Sequence, residues 1–173
     1  MSLFAVTVLG HDRPGIVADT TAALARLGGN LEDSTMTLLG GHFAMLLLVR
    51  TGSGREGVEH ALQPLGADGL LTVDVREVTD DAATPAPASD LHVLSVHGAD
   101  RAGIVSAVTG VLAGAGGNVT DLTTRLAGGL YVLLADVALP ASVDVAALRQ
   151  ALAATADELG VDVSLRPVDT DEL

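Results

Sequence analysis

The chain has 173 residues and a formal net charge of −13, a balance that repels nucleic-acid phosphate and anionic membrane surfaces. It contains no Cys, which removes disulfides, Cys-ligated zinc and thiol nucleophiles, and no Lys, which removes Schiff-base chemistry and a phosphate-loop lysine. One Tyr, two Phe and no Trp leave few rings for stacking on bases.

From the N-terminus, the apolar run Leu3 to Leu9 reads as a strand. Asp12 follows as an N-cap with Pro14 in the first turn, and Ile16, Val17, Thr20, Leu24 and Leu27 recur at helical spacing. Gly28-Gly29 ends that helix. Leu31 to Leu39 predicts a half-buried strand, Gly40-Gly41 a two-residue hairpin turn, and Phe43 to Val49 a central strand covered on one or both faces. Gly52-Ser53-Gly54 breaks the chain, and Ser53 and Glu56 have capping-box spacing for a helix reaching Leu65. Leu70 to Val78 completes a βαββαβ order, the ferredoxin-like split unit.

The same order then repeats. Gly10-His11-Asp12-Arg13-Pro14-Gly15-Ile16-Val17 returns as Gly98-Ala99-Asp100-Arg101-Ala102-Gly103-Ile104-Val105, and Gly28-Gly29-Asn30 returns as Gly116-Gly117-Asn118. From Gly10 to Val49 about half of the positions are identical in the second copy, without a gap. The second set of elements is strand Leu91–His97, helix Arg101–Ala115, strands Asn118–Leu126 and Leu130–Leu139, helix Val143–Leu159 and strand Val161–Pro167. The predicted organisation is α+β: two tandem ferredoxin-like βαββαβ domains, 1–79 and 90–168, with a polar, Pro-containing linker at 80–89 and an acidic tail at 169–173.

The Asp-Arg-Pro-Gly-Ile-Val loop, the Gly-Gly-Asn strand entry and the βαββαβ order resemble a tandem ACT-domain protein, most nearly the glycine cleavage system transcriptional repressor family. A similar loop opens the regulatory domain of formyltetrahydrofolate deformylases. The resemblance spans nearly the whole chain and departs at Ala102, where the family has proline. It implies a small amino-acid ligand such as glycine or serine, bound at an interface between ACT domains of an oligomer. It also implies a protein partner, a regulator or an enzyme, that reads the change. No cofactor is implied.

The loop at residues 10–15 is the predicted site. A helix N-terminus offers unpaired N–H groups and a positive dipole end to a carboxylate, and Gly15 leaves that backbone open to approach. Asp12, Gly15, Ile16 and Asn30, with Asp100, Gly103, Ile104 and Asn118 in the second copy, are the candidate ligand-binding residues. Asp12 and Pro14 serve equally well simply to start a helix, and Asn30 to turn the chain after Gly-Gly. Arg13 and Arg101 offer bidentate carboxylate binding or plain surface charge. His11, His42, His60, His92 and His97 show none of the sequence intervals that gather metal ligands on one strand or helix, so no metal site is predicted. No nucleophile elbow is present. Two rivals stand beside the non-enzymatic sensor: a structural interaction module without ligand, and a small hydrolase or lyase using His11 and Asp12. Ala99 in place of His11 argues against catalysis shared by both copies. The start Met1-Ser2-Leu3-Phe4 lacks the pattern of a signal peptide, and the longest apolar run is too short to span a bilayer, which together predict a cytoplasmic protein.

Overall fold

The computed structural model describes residues 1–79 and 89–168. The chain divides into two compact units, Met1–Thr84 and Pro85–Leu173. The predicted tail and the predicted linker up to residue 88 lie outside the described residues; Ser89, read as linker, already opens a strand.

In the first unit, β1 (Ser2–His11) leads through a short loop into α1 (Ile16–Arg26). Then come β2 (Asn30–Leu39), β3 (His42–Thr51), α2 (Gly54–Leu62), a 3₁₀ turn at Gln63–Gly66 and β4 (Leu71–Val78). The four strands form one antiparallel sheet in the order β2-β3-β1-β4. The second unit repeats this with β5 (Ser89–Ala99), α3 (Ile104–Gly114), β6 (Asn118–Ala127), β7 (Leu130–Pro140), α4 (Val145–Leu159) and β8 (Val161–Pro167), in the order β6-β7-β5-β8. Each unit is the predicted α+β ferredoxin-like fold.

Alternation along the central strands places the cores. Phe4, Val6 and Val8 of β1 and Phe43, Met45, Leu47 and Val49 of β3 are buried against Ile16 and Leu24 of α1 and Val58 and Leu62 of α2. Leu94, Val96, Leu133 and Val137 do the same beneath Val108, Leu112 and Leu152. Thr20 is the buried polar residue of α1, and its hydroxyl donates to the Ile16 carbonyl at 2.7 Å. The equivalent of Phe4 in the second copy is His92, also buried, with Nδ1 3.1 Å from the Asp90 carbonyl.

Local signals end the helices as expected. Gly28 and Gly29 donate to Ala25 and Leu24 carbonyls at 2.9 and 3.0 Å, and Gly116 and Gly117 repeat this on Ala113 and Leu112, each a Schellman closure. The Gly40-Gly41 and Gly128-Gly129 turns join their hairpins with two residues, all four glycines at positive φ, as the I′ turn requires. Helix starts differ from expectation. The cap of α1 is Gly15, not Asp12, and Ser53 does not cap α2 through its side chain; its hydroxyl donates to the Leu27 carbonyl at 3.3 Å. At α4 the Asp144 carboxylate accepts from the Ala146 and Ala147 N–H groups, both at 3.0 Å. Asp144→Ala is therefore expected to cost about 1 kcal/mol of stability, measured by urea denaturation.

One strand is not as predicted. Every residue of β2 is exposed rather than half of them. It sits at the sheet edge, and the core beneath the helices contains none of its residues. Met36 and Leu38 stand about half exposed beyond the cover of α1. The sheet face opposite the helices is open: Leu46 of β3 is 44% exposed and its equivalent, Leu134 of β7, 49%. Phe43 to Val49 is thus covered on one face only. No helix among the described residues is long and apolar enough to cross a membrane.

Candidate functional site

The β1–α1 loop is pinned from two sides. The His11 N–H donates to the Leu70 carbonyl and the Asp12 N–H to the Gly41 carbonyl, both at 3.1 Å. The loop therefore lies against the β2–β3 hairpin. Gly15 then takes φ 93°, ψ −7° before the helix begins, and Gly103 takes φ 93°, ψ −3°. Glycine stands at both positions because an L side chain is strained there. A Cβ on Gly15 would meet only the Asp19 Oδ2 at 3.8 Å, so backbone conformation, not crowding, selects it. The positive φ is a reason for glycine beside the one expected from sequence, clearance for a ligand.

The turn leaves the first N–H groups of α1, at Ile16, Val17 and Ala18, without a side-chain cap, and those of α3 likewise. Both helix starts border cavities. In the first unit, Asp12, Arg13, Gly15, Ile16, Val17, Ala18, Met36 and Phe43 line a space of about 450 Å³. In the second, Asp100, Arg101, Gly103, Ile104, Val105, Ser106 and Tyr131 line about 300 Å³. The duplication thus preserves the pocket's position. Its chemistry changes: Tyr131 replaces Phe43 and Ser106 replaces Ala18, so the second pocket is smaller and more polar.

The two arginines diverge. Arg13 Nη1 lies 3.2 Å from the Asp19 carboxylate, with the two side chains 35% and 55% exposed. The position equivalent to Asp19 is Ala107, and Arg101 turns instead to Gly160, its guanidinium within 3.4–3.5 Å of where a Cβ on that residue would sit. Gly160 caps the C-terminus of α4, where a cation complements the helix dipole. Neither arginine presents an identical anion clamp in both copies.

The structure separates Asn30 and Asn118 from their loops. Asn30 pairs with Arg50 at the start of β2, whereas the loop sits beside Leu39 and His42 at its far end. Strand rise puts roughly 30 Å between them. Asn118 pairs with Ala138, equally remote from Ala127 and Leu130. The expected adjacency within one domain is incorrect, because a strand following a helix enters the sheet at the end opposite the helix start. The sequence reading overlooked Met36, Phe43 and Tyr131. Their signal was present in the hairpin: the residues flanking Gly40-Gly41 and Gly128-Gly129 must return to the level of the loop.

The ACT-domain family profile matches residues 2–76 and 91–166. The chain is 30% identical to the glycine cleavage system transcriptional repressor of Escherichia coli, covering 95% of this chain and 89% of that one. A UPF0237 protein of Methanopyrus kandleri is 40% identical over 78 residues, 41% of this chain and 87% of its own. The crystal structure of an unknown protein from Galdieria sulphuraria superimposes with a TM-score of 0.83 at 34% identity, covering 96% and 98% of the two chains. Two ACT domains in tandem, matched along nearly their whole length, place this chain in the ACT-domain family as a regulatory protein related to the glycine cleavage system transcriptional repressors.

Proposed function

We propose that the protein is a non-enzymatic, cytoplasmic sensor of a small amino acid, glycine or serine, acting on a regulator or enzyme partner, in transcriptional control of glycine cleavage. The observation that carries the reading is the uncapped first turn of α1, repeated in α3, opening on a cavity in each copy. Such a turn suits the ligand's carboxylate. Asp12 stands on the same wall, available to the ammonium group. Under this reading the net charge of −13 directs the regulatory contact to a protein rather than to an operator.

Asn30 joins the site only across an interface. The outer edge of β2 lacks a partner strand among the described residues. Antiparallel pairing of that edge with the same edge of a second copy is two-fold symmetric and sets the start of one strand against the end of the other. The second copy's Asn30 would then reach the loop of the first, which is why we propose a homo-oligomer. Asn118 on β6 follows the same logic.

Calorimetry with the standard amino acids tests the reading. Saturable binding by glycine or serine is expected. Ala18→Glu is expected to abolish it, since a carboxylate placed at the first turn occupies the anion position, while helix stability changes by only about 0.3–1 kcal/mol in the favourable direction. A protein blind to every amino acid favours instead the interaction module, for which the open leucines Leu46 and Leu134 are the supporting observation.

A further inference from the structure

His11 ends β1, His42 opens β3, and the antiparallel register sets them directly opposite one another. Phe4, Val6 and Val8, like Phe43, Met45 and Leu47, point under the helices. By alternation His11 and His42 stand together on the helix-free face, where both are exposed. Their ring centroids are 5.0 Å apart and their planes inclined by 65°.

A metal bound to an imidazole nitrogen at about 2.0–2.1 Å lies roughly 3.2 Å from the ring centre. Nitrogen–metal–nitrogen angles between square-planar and tetrahedral then put two ring centres roughly 4.5–5.2 Å apart. The observed separation falls inside this range. The backbone is already held at both strand ends, by the His11 N–H on the Leu70 carbonyl and the Asp12 N–H on the Gly41 carbonyl. Binding then has the two exposed side chains, and not the backbone, to order. The geometry points to a bis-imidazole site for a divalent transition metal, Ni²⁺, Cu²⁺ or Zn²⁺, on the open face of the first domain. Among the described residues no group of three or more His, Asp or Glu could hold an ion, so the pair supplies two ligands and water fills the rest of the shell. The second domain pairs Ala99 with Leu130 at the same register and has no such site.

The test is titration of the full, untagged chain with NiCl₂ and ZnCl₂ in a non-coordinating buffer, followed by calorimetry, with Cu²⁺ electron paramagnetic resonance to count nitrogen ligands. One ion per chain and two equatorial nitrogens are expected. His11→Ala and His42→Ala should each weaken binding by roughly 10²-fold, because the second bond of a chelate forms at high effective concentration. His60→Ala should leave it unchanged. If an alanine variant loses its circular dichroism spectrum, His11→Gln and His42→Gln keep polar bulk on the strand and must show the same loss. Ala99→His with Leu130→His should add a second ion. Absence of saturable binding, or affinity unmoved by both histidine variants, reduces the pair to an edge-to-face ring contact and overturns the proposal.

Discussion

Alanine at position 10 is expected to destabilise the first domain strongly, although it adds a single methyl group. A Cβ on Gly10 would lie 2.0 Å from the Leu70 carbonyl oxygen and 3.0 Å from the Leu70 carbonyl carbon and from the Leu71 Cα. All three atoms are backbone and cannot rotate aside. The same Leu70 oxygen accepts from the His11 N–H at 3.1 Å, so relieving the clash breaks the bond that pins the candidate loop. Overpacking typically costs about 1–3 kcal/mol, and contact with rigid backbone belongs at or above the upper end. Against a total domain stability of about 5–15 kcal/mol, this is a large fraction. Urea denaturation should show a loss of about 3 kcal/mol or more, together with weakened ligand binding. Gly98→Ala provides the internal comparison. Its nearest obstacle is the Val161 side chain at 2.8 Å, with the Val161 Cα at 3.1 Å, and no backbone atom comes as close as the Leu70 oxygen does at Gly10, so its loss should be smaller. Equal losses at the two positions would show that the β1–β4 backbone yields more readily than this geometry requires.

The second large effect is expected at Phe4, which is fully buried on a central strand between Val49 of β3 and Glu77 of β4. Phe4→Ala removes the larger part of an aromatic side chain from a core that has only one other ring, Phe43. Truncations of this kind cost about 3–5 kcal/mol, combining lost transfer energy with the cavity left behind. A domain of this size has little reserve, because small domains bury a smaller share of their surface. The midpoint of guanidinium denaturation should fall accordingly at unchanged slope. A loss below about 2 kcal/mol would mean that the surrounding core side chains close the space, and that the core is softer than its burial implies.

Legibility in the sequence followed the range of the interaction involved. The Schellman closures at Gly28-Gly29 and Gly116-Gly117 and the hairpins at Gly40-Gly41 and Gly128-Gly129 were readable, because each is decided within a few residues by backbone conformation. The start of α1 was misplaced for an equally local reason: Asp12 has the right chemistry for a cap, but Gly15 takes up the turn three residues later. The exposure of β2 was not readable, since Leu31, Met36 and Leu38 look like core until the helices are seen to stop short of the edge.

The sequence by itself determined the repeat, the βαββαβ order in each copy, and the loop that opens each first helix. Those features rest on periodicity, turn chemistry and identity between copies, all carried by neighbouring residues. Only the tertiary structure decided which ends of the strands meet. It moved Asn30 away from its loop, brought Phe43 and Tyr131 to the pockets, and set His11 beside His42 although no short interval joins them. The physical reason is strand pairing: direction and register are chosen by burial of one sheet face across the whole domain, and no local pattern encodes the partner.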